Sequence, residues 1–193
     1  MRIALFGKLR AGKSAVADYI ADKYDCDIIE FSAGVQDVID IIYPELKGTK
    51  NREVLISVGQ HLRKLDKDVW VNVVRHKIEN SNNPNILVAG VRQQNEYDML
   101  KELGFIFIQV DASETTRIER CKANNDSFKV ETLRSHTEMV MDGFKSDYLI
   151  LNEYGFKELE ISIRNVLAEI AGIELREAFF KDQLKRMEKG NEE

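Results

Sequence analysis

Residues that break elements or staple loops are scarce in this chain. Its 193 residues include two prolines, two cysteines and one tryptophan. With so little proline, and 11 glycines spread along the chain, no tract reads as a linker, and a single domain is expected. Cys26 and Cys121 lie far apart, with neither zinc-ligand spacing nor a disulfide framework. Free thiols in a reducing compartment are the expectation, which suits a cytoplasmic protein. No apolar run approaches the ~20 residues of a membrane helix, so no membrane partner is expected. The apolar opening, residues 1–6, is too short for a signal peptide and gives way at once to Lys8, Arg10 and Lys13. A surplus of positive charge is missing too. Lys and Arg total 28 against 33 Asp and Glu, a net charge of −5. Binding to duplex nucleic acid draws on many phosphate-neutralising cations, so that class of partner is excluded. Phosphate chemistry in such a chain must use a few cations focused in a cleft.

What is present suits a packed core: 44% of residues are hydrophobic and 32% charged. Short apolar runs at 3–6, 27–31, 86–89, 105–110 and 148–151 read as strands. Helical spacing marks 13–24, 35–42, 53–65, 69–78, 95–103, 115–122, 130–141, 156–170 and 175–187. Alternation of this kind predicts an α/β fold: a five-stranded parallel sheet with helices on both faces, in three layers. Ligands in such sheets bind beyond the carboxyl ends of the strands.

The end of the first strand carries the sharpest motif. Gly7-Lys8-Leu9-Arg10-Ala11-Gly12-Lys13-Ser14 satisfies G-x-x-x-x-G-K-[ST], with a strand before it and a helix after it. The glycines allow turns and close approach that a Cβ would block. Successive amides then line a concavity for a polyphosphate, backed by the positive end of the helix. Lys13 is expected to reach the β- and γ-phosphates and Ser14 to offer its hydroxyl to Mg²⁺. Arg10 meets a phosphate or faces solvent.

Other features narrow the use of this loop. No N-K-x-D base-reading motif occurs, and the third strand ends in Ala89-Gly90 rather than an acid. A small-molecule kinase needs a second anion site facing the first. Arg52, Gln60, Arg63 and Trp70 fall in a helical insertion between the second and third strands. Arg92 follows the third strand directly, where a side chain points into the crevice. Arg117 and Arg120 follow the fourth strand, one helical turn apart. Each has a plainer alternative: a solvated or ion-paired arginine on a helix, or a core aromatic at Trp70.

Taken in order, these segments resemble the phage-type deoxynucleoside monophosphate kinases, within the P-loop nucleoside monophosphate kinase-like group. The likeness spans most of residues 1–170. It rests on the phosphate loop, Phe31-Ser32-Ala33, Arg52-Glu53-Val54-Leu55 leading to Gly59-Gln60 and Arg63, and Asp68-Val69-Trp70-Val71. It continues through Val91-Arg92 with Asn95-Glu96, the Arg117/Arg120 pair, Ser135-His136-Thr137-Glu138, and Asp147-Tyr148-Leu149-Ile150-Leu151-Asn152. The resemblance implies a P-loop NTPase fold with a helical monophosphate-binding insertion at about 33–80, a small lid at about 113–141 and a C-terminal helix at about 173–189. It implies ATP and Mg²⁺ as cosubstrates, bound by residues 7–14 with Ser14 on the metal. A nucleoside 5′-monophosphate would be the acceptor, its site drawing on Phe31, Arg52, Gln60, Arg63, Trp70, Arg92 and Asn95. Lys13, Arg92, Arg117 and Arg120 would be the catalytic cations. The family tends to carry an acid where this chain has Gly90; Asp111 and Asp37 are candidates to stand in for it. His136 touches nucleotide or lies on a helix surface. The stripe Leu175, Phe179, Phe180 and Leu184 packs on its own domain or on a second copy, so monomer and homodimer both stand.

Overall fold

The computed structural model describes residues 1–49, 51–124 and 139–189; for Arg52, Leu175 and residues 177–189 the description is of the backbone. The chain divides into two compact units, Met1–Glu153 and Tyr154–Glu193.

The first unit is built on β1 (Arg2–Phe6), β2 (Asp27–Glu30), β3 (Ile86–Val91), β4 (Ile106–Asp111) and β5 (Tyr148–Leu151). They form one parallel sheet in the order β2-β3-β1-β4-β5, which puts β1 at its centre. Between them run α1 (Lys13–Lys23), α2 (Phe31–Ile42), α3 (Arg52–Leu65), α4 (Val69–Glu79), α5 (Gln94–Glu102) and α6 (Glu114–Ala123). Parallel strands must be covered on both faces, which is why β1 and β3 are almost unbroken apolar runs. Ala4, Phe6, Ile86, Val88 and Phe107 point to one face, into a core completed by α2, α4 and α5. The alternate residues Ile3, Leu5, Leu87, Ile108 and Val110 point the other way and are equally buried. Val16 and Ile20 of α1, which packs along β1, β2 and β3, are buried too.

Some boundaries differ from those the sequence pattern predicts. The second strand stops at Glu30 and α2 begins at Phe31, four residues before the expected start. Phe31 is drawn into the core, which fixes the turn from strand to helix there. The helix expected over 130–141 falls largely outside the described residues, as do His136 and residues 125–138 of the expected lid. Of that segment, residues 139–140 are helical and Met141–Gly143 is a 3₁₀ turn.

The second unit is a correction. Two helices at 156–170 and 175–187 are expected, with the C-terminal one taken to 173–189; instead α7 runs unbroken over Phe156–Lys189. The junction Ala171-Gly172-Ile173 contains no proline. An interior glycine costs only about 1 kcal/mol against alanine, too little to end a helix by itself. Arg176 Nε bonds the Gly172 carbonyl at 3.1 Å across that junction.

Candidate functional site: a phosphate loop facing a cationic turn

The central strand β1 delivers the chain to the crest of the sheet, and the loop after it has an unusual backbone. Gly7 has φ +148° and Gly12 φ +104°; Arg10, at φ +61°, is the non-glycine residue held in the left-handed region among those described. A Cβ on Gly7 would lie 2.0 Å from the Val110 carbonyl oxygen of β4, and one on Gly12 2.0 Å from Asn152 Nδ2. Alanine at either position therefore meets both a strained dihedral and a collision.

The loop's carbonyls are matched by donors from Gly7 through Ala11. Lys13 Nζ reaches the Gly7 and Lys8 oxygens at 2.7 and 2.9 Å. Arg117 Nη1 lies 3.5 Å from the Leu9 oxygen. Arg120 Nη1 donates to Arg10 and Ala11 at 3.2 and 3.4 Å. Asn152 Nδ2 donates to Ala11 at 2.9 Å. With its carbonyl side held by donors and the Ala11 amide turned onto the Lys8 oxygen at 3.2 Å, the loop keeps the shape of an anion cradle. The start of α1 agrees: no side chain caps it and no acid lies in its first turn. A helix end left this way favours negative charge. Ser14 is exposed at that helix end. Lys8 pairs with Asp142 at 2.8 Å, tying the loop's rim to the 3₁₀ turn.

Arg117 and Arg120 are thus placed against the loop from behind. Arg117 is 5% exposed, and its Nε has no hydrogen-bond partner. Arg120 also clasps Asn152, with Nη2 at 2.8 Å from its carbonyl oxygen and 3.2 Å from Oδ1. The helix carrying both arginines is anchored by Glu153, which accepts from Thr116 Oγ1, the Ser113 amide and Ser113 Oγ. Led by the Thr116 bond, these contacts hold the Glu153 carboxyl below its ordinary value.

On the other side of β1, β3 brings up the second group. Leu5 pairs with Ala89 and Phe6 with Val91, so Gly90 is the extra residue of a bulge. Its φ of +80° explains glycine where an acid is expected: an aspartate there would have to adopt a left-handed backbone. The two suggested substitutes are already engaged. Asp37 pairs with Lys77 at 3.2 Å, and Asp111 Oδ1 accepts from the Ala112 amide at 2.9 Å. Among the described residues, no cluster of three or more His, Cys, Asp or Glu could hold a metal ion by itself.

Past the bulge, Arg92 is exposed. Glu96 binds both its backbone amide, at 2.8 Å, and Arg63 Nη2, at 3.1 Å. Burial pushes the Glu96 carboxyl above its ordinary value, against the opposing pull of those partners. Asn95 Nδ2 donates to Asp68 Oδ1 at 2.8 Å and to the Lys67 oxygen at 3.0 Å. Arg63, Arg92 and Asn95 are therefore brought into one neighbourhood. Phe31 and Trp70 are not brought to the crevice: both lie in the core, and Trp70, 2% exposed, donates from Nε1 to the Gly59 oxygen at 3.1 Å. Gln60 is exposed on α3. Arg52 opens α3 just after its cap, Asn51.

Two residues of the site went unassigned from the sequence. Asn152 directly follows a strand at the crest, the same signal that singles out Arg92. Glu96 falls three residues after the cap of α5, the spacing of a capping box.

Solved structures share this fold at low identity. A gluconokinase from Sinorhizobium meliloti 1021 superposes with a TM-score of 0.61 at 17% identity, over 91% of this chain and 96% of that one. A shikimate kinase from Acinetobacter baumannii gives 0.59 at 15%, over 90% and 94%. A shikimate kinase from Aquifex aeolicus gives 0.53 at 20%, over 91% and 99%. Comparison with curated proteins gives no match. Residues 3–148 match the AAA domain family, and over that span, phosphate loop included, the chain belongs to it.

Proposed function

We propose that the protein is a small-molecule kinase that moves the γ-phosphoryl group of ATP onto a nucleoside or deoxynucleoside 5′-monophosphate. The observation that carries this reading is the phosphate loop itself, its carbonyls held by donors and its shape that of an anion cradle, with Arg63 and Arg92 gathered at the end of the neighbouring strand. Bound MgATP supplies the transferred group and screens its charge. Loop amides hold the polyphosphate, and Ser14 offers its hydroxyl to Mg²⁺. With glycine at 90, that position would give Mg²⁺ no side-chain ligand, and Ser14 would be the residue to hold it. Lys13 swings from the Gly7 and Lys8 oxygens onto the phosphates. Arg63 and Arg92 hold the acceptor phosphate in line. Its attacking oxygen is already anionic, so the reaction asks for positioning and charge neutralisation rather than a general base. In this reading residues 1–193 act as one kinase domain, cytoplasmic, as a monomer or homodimer.

A second reading has an alcohol as acceptor, as the names of the gluconokinase and shikimate kinase neighbours suggest for those proteins. One observation favours it: Glu30 ends β2 at the crest, where its carboxylate accepts from Ser32 Oγ at 2.9 Å, and an alcohol needs such a base. The two are separated by supplying MgATP with the ribo- and deoxyribonucleoside monophosphates, and with shikimate and gluconate, to wild type and to Glu30→Gln. Transfer to a monophosphate that Glu30→Gln leaves intact supports the first reading. Transfer to an alcohol alone, abolished by Glu30→Gln, replaces it with the second.

A further inference from the structure

Arg63 and Arg92 share one neighbourhood, and what fixes them relative to one another is a third side chain. Among the described residues Glu96 is the buried acid, 2% exposed. Its two oxygens divide their work. Oε2 accepts from the Arg92 and Gln93 amides at 2.8 and 3.1 Å, and Oε1 accepts from Arg63 Nη2 at 3.1 Å. One carboxylate therefore joins the turn that bears Arg92 to α3, an element 33 residues away in sequence. Beside it, Asn95 ties the same helix start to Lys67 and Asp68 at the turn between α3 and α4.

We propose that Glu96 is a positioning residue for the acceptor phosphate, holding Arg63 and the Arg92 turn at a fixed separation so that both cations meet one anion. The inference rests on the acceptor reading given above. A plainer role is that of an end cap for α5. A cap needs only the two amides, however, and glutamine at this position serves a helix start as well as glutamate. A cap does not need Arg63. Burying a charged carboxylate is costly unless it is paired, so its retention here calls for the ionic partner.

That difference makes Glu96→Gln the test. Its single amide oxygen can keep the two backbone amides. Its NH₂ group then faces Arg63, donor against donor, and releases the guanidinium. With the nucleoside monophosphate that wild type phosphorylates fastest, Glu96→Gln should raise the acceptor KM about tenfold and leave the ATP KM within about twofold. Adding Glu96→Gln to Arg63→Ala should cost almost nothing further, because Glu96 acts through Arg63. Unchanged acceptor KM, an equal rise in both KM values, or additive effects with Arg63→Ala would overturn the proposal. Should Glu96→Gln not fold, Glu96→Asp, which keeps the charge and shortens the reach, is read in the same way. If wild type phosphorylates no monophosphate, the acceptor reading fails separately. Inorganic phosphate is then titrated into ¹⁵N-arginine-labelled protein while the Arg63 side-chain signal is followed. Phosphate binding at least about tenfold weaker in Glu96→Gln upholds the positioning role, and equal binding removes it.

Discussion

The phosphate loop and the Arg92 turn end adjacent strands of one sheet, β1 and β3, yet they are built in opposite ways. The loop is a backbone device. Its shape comes from glycine dihedrals and close passes against Val110 and Asn152, and its carbonyls are secured from behind. The Arg92 turn is a side-chain device, in which Glu96 and Asn95 gather groups from α3 and the start of α4 around Arg92. A backbone cradle suits the polyphosphate that nucleoside triphosphates share. A side-chain frame can be retuned one residue at a time. Selectivity among acceptors is therefore expected to reside on the β3 side.

Four measurements would break or sharpen that contrast. The largest effect is expected for Lys13→Ala, which removes the loop's mobile cation. Transfer should fall by about 10³-fold or more while the melting temperature moves little. Appreciable transfer by this variant would mean that the loop is not the donor site. Next, Asn152→Ala takes a buried amide from the Ala11 carbonyl and from the Arg120 clasp. It should destabilise by about 1–3 kcal/mol and raise the ATP KM with little change in the acceptor KM. An effect confined to the acceptor would erase the distinction between the two sides. Arg92→Ala alters an exposed side chain, so stability should stay within about 0.5 kcal/mol while the acceptor KM rises. A rise in the ATP KM alone would move Arg92 to the other site.

The smallest effect concerns pH. Burial raises the Glu96 carboxyl above its ordinary 4.5. A raised folded value means a contribution to stability that is whole below 4.5 and lost as pH climbs through the folded value. Urea melts of wild type against Glu96→Gln should therefore show the difference moving against wild type as pH rises from 4.5. A difference growing in wild type's favour would show that Arg63 more than repays burial.

Much of the fold was legible because its signals are local. Apolar runs between helical spacings give five parallel strands, and G-x-x-x-x-G-K-S between a strand and a helix gives the loop. Where the pattern misled, the deciding forces were not local. The pattern gives two helices at 156–170 and 175–187, but the single glycine between them cannot offset the cooperative hydrogen bonding of a 34-residue helix. Gly90 reads as a lost acid, whereas the bulge opposite Leu5 and Phe6 accounts for it.

By itself, then, the sequence determined the layered α/β architecture, the phosphate loop with Lys13, and the presence of arginines after the third and fourth strands. Periodicity and dihedral preference act between near neighbours, so a linear reading captures them. Only the tertiary structure decided what those arginines touch. It turned Arg117 and Arg120 to the back of the loop, withdrew Trp70 into the core, and set Glu96 between Arg63 and the Arg92 turn. Those outcomes depend on which distant groups share one buried volume, where a charge must find its partner.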